Sequence, residues 1–96
     1  MKQTDKELIQ SFLPTFTLHI KLSRLQGGSA LRTDEVEGLT NKLPEKGEQL
    51  ILLTAPLENG DFRRVNTSPV VSYEDVEAGR MVATESGSQY FIEVIQ

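Results

Sequence analysis

The segment Phe16-Thr17-Leu18-His19-Ile20-Lys21-Leu22 alternates apolar and polar residues without a fault. Successive side chains of a strand point to opposite faces, so a period of two commits the segment to a strand with one buried face. Phe16, Leu18, Ile20 and Leu22 are predicted to face a core, with Thr17, His19 and Lys21 turned outward. A lone strand or hairpin is marginal in water, so the rest of the chain must supply neighbours.

Four further strands are predicted. Residues 48–57 contain Leu50-Ile51-Leu52-Leu53, an unbroken apolar run suited to a strand covered on both faces. Residues 62–73 read as a strand interrupted at Ser68-Pro69, where proline lacks the ladder donor. Its alternation falters around Arg63-Arg64, which marks a bulge or bend. Residues 80–84 and 89–95 complete the set, and in the last strand Tyr90, Ile92 and Val94 share one face, with Phe91 and Ile95 on the other. Asn59-Gly60 signals a tight hairpin turn, and Glu85-Ser86-Gly87-Ser88 a second one. Gln26-Gly27-Gly28-Ser29 reads as a loop and residues 74–79 as an acidic turn.

Thr4-Asp5-Lys6-Glu7 has the form of a capping box. Leu8, Ile9, Phe12 and Leu13 then form one helical stripe, and Pro14 stops it, giving a helix over about residues 5–12. Thr33 or Asp34 caps a second helical turn carrying Val36 and Leu39, weakened by Gly38 and ended by Pro44. The resulting fold class is α+β, mainly β: a short N-terminal helix and about five antiparallel strands in a curved sheet or small barrel. The helix is expected to cover one face of the last strand and closure of the sheet the other. Ninety-six residues, 38% of them hydrophobic, form one domain with one modest core.

Composition removes several chemistries. The absence of cysteine excludes disulfides, thiolate metal sites and cysteine nucleophiles, and a single histidine excludes any mechanism with two imidazoles. His19 is predicted at an outward strand position with no acid nearby in sequence, so His19→Ala is expected to be nearly silent. Asp34-Glu35-x-Glu37 and Glu74-Asp75-x-Glu77 read as solvated loop charge, not as cation ligands. No glycine-rich phosphate loop and no nucleophile elbow is present. The expectation is a protein that is not an enzyme and takes no cofactor or metal.

No run approaches the ~20 apolar residues of a membrane span. Met1 to Leu13 carries Asp5 and Glu7 and lacks the pattern of a secretory signal, which leads to an expected cytoplasmic location with no membrane partner. Charge is uneven: the balance is +3 up to Thr33 and −7 from Asp34 onward, together the −4 of the whole chain. That acidic excess opposes phosphate and disfavours nucleic acid as a partner.

Thr67-Ser68-Pro69-Val70-Val71, followed by Gly79-Arg80-Met81-Val82-Ala83-Thr84-Glu85-Ser86-Gly87-Ser88-Gln89-Tyr90, resembles a pattern of small β-rich bacterial and phage proteins. The resemblance covers the last third of the chain. It implies a β-hairpin packed on another strand and carries no activity.

The functional expectation is therefore a small protein-interaction or regulatory module, of bacterial or phage origin, whose free sheet edge accepts a strand from a different protein or a second copy. Arg63, Arg64, Arg80, Glu74, Asp75 and Glu77 are the candidate partner contacts. The alternative is a small β-barrel binding single-stranded nucleic acid through Arg63, Arg64 and Arg80, with Phe62, Tyr73, Tyr90 or Phe91 as stacking surfaces.

Overall fold

Among the described residues the chain forms seven strands, two more than its sequence suggests. The computed structural model describes residues 2–26, 32–56 and 62–95, the side chains of 55 and 56 excepted. Helix α1 (Gln3–Phe12) precedes β1 (Leu18–Leu25), β2 (Arg32–Thr40), β3 (Ile51–Pro56), β4 (Phe62–Asn66), β5 (Val70–Val76), β6 (Gly79–Thr84) and β7 (Gln89–Val94). All seven strands form one antiparallel sheet in the order β4-β3-β2-β1-β7-β6-β5. The Gly27-Gly28-Ser29 loop and the Asn59-Gly60 turn lie outside the described residues, although β3 and β4 on either side of the latter pair antiparallel. Among the described residues no helix is long and apolar enough to cross a membrane.

The first extra strand is β2, which replaces the expected second helical turn. Between the pairs Leu22↔Val36 and Arg24↔Thr33, β2 carries Asp34 and Glu35 against Ser23 alone on β1. This bulge, with Asp34 at a φ of 51°, shifts the side-chain phase. Gly38, which argued against a helix, belongs to a strand interior where β3 comes close: a Cβ there would lie 2.3 Å from the carbonyl oxygen of Leu53. The second extra strand arises because the predicted 62–73 strand is two, β4 and β5, and β5 runs on through the acidic residues expected to form a turn.

The rolled sheet has an apolar interior. Ile20 and Leu22 of β1, Leu52 of β3, Val82 of β6 and Ile92 of β7 meet there with Leu50 and Val70. Tyr90 and Val94 pack against the same cluster, as the two-residue period of the last strand predicts. A second cluster lies on the outer face of β2 and β3, where Ile9 of α1 and Phe16 close over Leu39, with Ile51 and Leu53 against them. Leu50-Ile51-Leu52-Leu53 is thus covered on both faces, by the interior on one side and by α1 on the other.

Three expectations need correction here. Phe16 precedes β1, which starts at Leu18, and joins the outer cluster instead of the interior. The helix packs on β3, not on the last strand, where the Arg32 guanidinium lies 4.1 Å over the Phe91 ring instead. Finally, α1 begins at Gln3, and it is Asp5, not Glu7, whose Oδ2 accepts the amide of Lys2, at 3.4 Å. Of its apolar stripe only Ile9 is buried, while Phe12 remains 72% exposed.

Candidate functional site

β4 and β5 stand at opposite ends of the strand order, yet only residues 67–69 separate them. Cα atoms are about 3.8 Å apart, so a link that short bends the sheet until its two ends come close at this point. Among the described residues no strand pair joins β4 to β5, so the sheet is curved but not closed, and the expected barrel closure is not formed. At the junction Thr67 donates its amide to the Leu50 carbonyl at 3.1 Å, and its hydroxyl oxygen accepts the Leu50 amide at 3.0 Å. Val70 donates to the Glu48 carbonyl at 2.8 Å and accepts from the Gly47 amide at 2.7 Å, while pairing with Thr84 of β6 on its other side. The turn that presents Gly47 and Glu48 is itself tied. The Glu48 carboxylate accepts the Glu45 amide and then the Lys42 ammonium, and both hold it below the usual carboxylate range.

Val70 is therefore bonded on both flanks, and away from it the seam opens. β4 pairs with β3 only, and β5 with β6 only. Residues 62–76 amount to one strand broken at Ser68-Pro69, whose first half is open on one side and whose second half is open on the other. Among the described residues no backbone hydrogen bond reaches the outer side of β5 after Val70. Val71 to Asp75 are exposed at every position, on both faces, with Val71 and Tyr73 each 42% exposed. Val71 is the extra residue of a bulge between the pairs made by Val70 and Ser72.

The charged candidates fall into three groups. Arg63 and Arg64 are exposed on β4, with the Arg64 Nε–H donating to Asn66 Oδ1 at 3.1 Å. Glu74 is exposed on β5, and Glu77 in the turn that follows it. Arg80 is not at the surface with the other arginines. Its side chain is 14% exposed, its Nε–H donates to Asp75 Oδ1 at 2.6 Å, and its Nη1–H donates to the Pro44 carbonyl at 3.1 Å. The same guanidinium lies 4.0 Å over the Tyr73 ring. No strand pair joins β4 to β6, so Arg63 and Arg64 do not meet Arg80 across one. The stacking aromatics are also engaged: Phe91 lies under Arg32, Tyr90 packs on the interior, and Phe62 meets Phe12 edge-on at 6.4 Å.

His19 is the residue that local sequence misreads most. It sits opposite Leu39, on the face that α1 and Phe16 cover, and is 6% exposed. Its Nε2 lies 2.5 Å from Glu37 Oε1, an acid brought from the neighbouring strand, and its buried Nδ1 has no partner among the described residues. A hydrogen bond to a charged group contributes about 1.5–3 kcal/mol, and less where, as at Glu37, one partner is 36% exposed. His19→Ala is accordingly expected to destabilise the protein by about 1–3 kcal/mol, measured by urea unfolding, in place of the silence its alternating position suggests. A change below a few tenths would show the pair to be idle.

An open cleft of about 680 Å³ lies at the far end of β1 and β2, with Arg24, Thr33, Asp34 and Ser88 among its walls. Among the described residues no group of three or more His, Asp or Glu side chains is arranged to hold a metal ion. Comparison of the chain with protein-family models, curated proteins and solved structures finds no match.

Proposed function

We propose that this protein is a non-enzymatic interaction module that binds an extended segment of a protein partner along the outer edge of β5. The observation that carries this reading is the edge itself: five consecutive exposed residues, Val71 to Asp75, with no backbone partner on their outer side among the described residues. Main-chain hydrogen bonds supply affinity in such strand addition, and alternate side chains supply selectivity. Val71 and Tyr73 offer apolar contact, and Glu74 with the neighbouring Glu77 favours a basic segment. Natural edges are protected by bulges and charges, and β5 carries both, which restricts access to partners of suitable charge.

Single-stranded nucleic acid is the less supported reading. Arg63 and Arg64 are exposed, but Arg80 is held by Asp75, Tyr73 and Pro44 and is not available as the third cation. Both readings meet in one titration of isotope-labelled protein, followed by amide shifts and hydrogen exchange. A short extended peptide alternating valine and lysine is expected to protect Val71 to Val76, whereas an acidic counterpart leaves them unchanged. Protection elsewhere, or none, removes the β5 reading. Shifts centred on Arg63 and Arg64 with an oligonucleotide would favour the other.

A further inference from the structure

The two open edges carry opposite charge. β4 presents Arg63 and Arg64 and no acid, while β5 presents Glu74, with Glu77 just beyond, its Asp75 being taken by Arg80 of β6. Among the described residues Arg63, Arg64, Glu74 and Glu77 take no ion pair, so neither edge is neutralised within the molecule. Like charges placed opposite one another destabilise a strand pair. Pairing β4 with β4 of another copy about a two-fold axis sets arginine against arginine, and pairing β5 with β5 sets carboxylate against carboxylate. Both symmetric dimers are thereby disfavoured, and one combination remains.

We infer that the segment taken up by β5 is β4 of a second copy of this chain, so that the protein associates head to tail. This inference rests on β5 being an edge that takes a strand, and it names the occupant. The geometry is compatible, because β4 is open on one side of the interrupted strand and β5 on the other. With inner faces kept together the two strands run parallel, since every intervening neighbour in the sheet is antiparallel. A contact between two different surfaces of identical chains leaves one of each free, and it propagates into open chains or closes into rings.

Sedimentation velocity across a concentration series tests this with two charge-reversed variants. Wild-type protein at low ionic strength is expected to form concentration-dependent species larger than a dimer. In about 1 M salt, where the screening length falls to about 3 Å, association weakens by about tenfold or more. Arg63→Glu/Arg64→Glu has two acidic edges and Glu74→Lys/Glu77→Lys two basic ones. Each is expected to remain monomeric alone, with an unchanged circular dichroism spectrum, and a mixture of the two to associate. A monomeric wild type, a variant that associates alone, or a mixture that stays monomeric overturns the inference. If the wild type is monomeric while the basic peptide still protects β5, the edge reading survives with a different protein as its partner. If the peptide fails as well, both fall.

Discussion

Ile20→Asp is expected to abolish the folded state. Ile20 is fully buried among Leu22, Leu50, Leu52, Val82 and Ile92, on β1, the central strand of the sheet. A carboxylate there is removed from water, and no cation lies opposite it: its cross-strand neighbours are Gly38 on β2 and Val94 on β7. The penalty amounts to several kcal/mol, against a total stability of roughly 5–15 kcal/mol for a domain. Ile92→Asp is a milder version of the same experiment, because Ile92 stands opposite Arg80 across the β6–β7 pair. Far-UV circular dichroism and amide shift dispersion report the outcome, with Ile20→Val as the control, expected to cost about 0.5–1.5 kcal/mol. A dispersed native spectrum for Ile20→Asp would mean that the interior has been assigned to the wrong face of β1.

The second large effect is expected at Gly79, the first residue of β6. A Cβ at this position would lie 1.8 Å from the carbonyl oxygen of Ile92, and backbone cannot yield as the end of a side chain can. Gly79→Ala should therefore cost about 3 kcal/mol, at the upper end of the usual range for overpacking. Gly87→Ala makes the comparison sharp. Gly87 has a φ of +88° and nothing within 4 Å of a Cβ, so only the left-handed backbone opposes the methyl group. That cost is about 1–2 kcal/mol. Urea midpoints that rank Gly87→Ala as the more damaging would show that β6 and β7 do not approach so closely at Gly79.

Sequence pattern revealed the fold wherever apolar residues at every second position turned one face of a strand to the interior. The alternation of β1 and the Tyr90-Ile92-Val94 face of β7 are cases of this, and Ser68-Pro69 marked the break between β4 and β5 because proline lacks a donor. Where apolar residues did not recur at every second position, the pattern failed. β2 turns Val36 to the interior and Leu39 to the outer cluster, and with Gly38 and Thr40 at the other interior positions those two apolar residues stand three apart in the manner of a helix. β5 has exposed residues on both faces, so its polar run reads as a turn although its backbone is paired along β6. The stripe on α1 was real, but only Ile9 found a surface to cover.

The candidate site was legible as composition but not as arrangement. Arg63, Arg64, Glu74 and Glu77 are exposed, as surface charges should be. Nothing local signals that Arg80 turns to Asp75, Tyr73 and Pro44, because Pro44 comes from a segment 36 residues away. Glu37 is also distant from His19 in the chain, 18 residues off, and reaches it only once β1 and β2 pair. The strand order, with β4 at one end and β5 at the other, is what sorts the two charge signs onto two edges.

Pairing of β1 with β7 sets an order of events during synthesis. The strand near the start of the chain finds one of its two neighbours only in residues 89–94. Contacts so far apart in sequence must overcome a large loop-closure entropy before they contribute, and folding slows accordingly. While the ribosome still holds the last strand, the early meander therefore waits with one flank of β1 unsatisfied. Completion of the sheet is a late step, open only once residues 89–94 have left the ribosome.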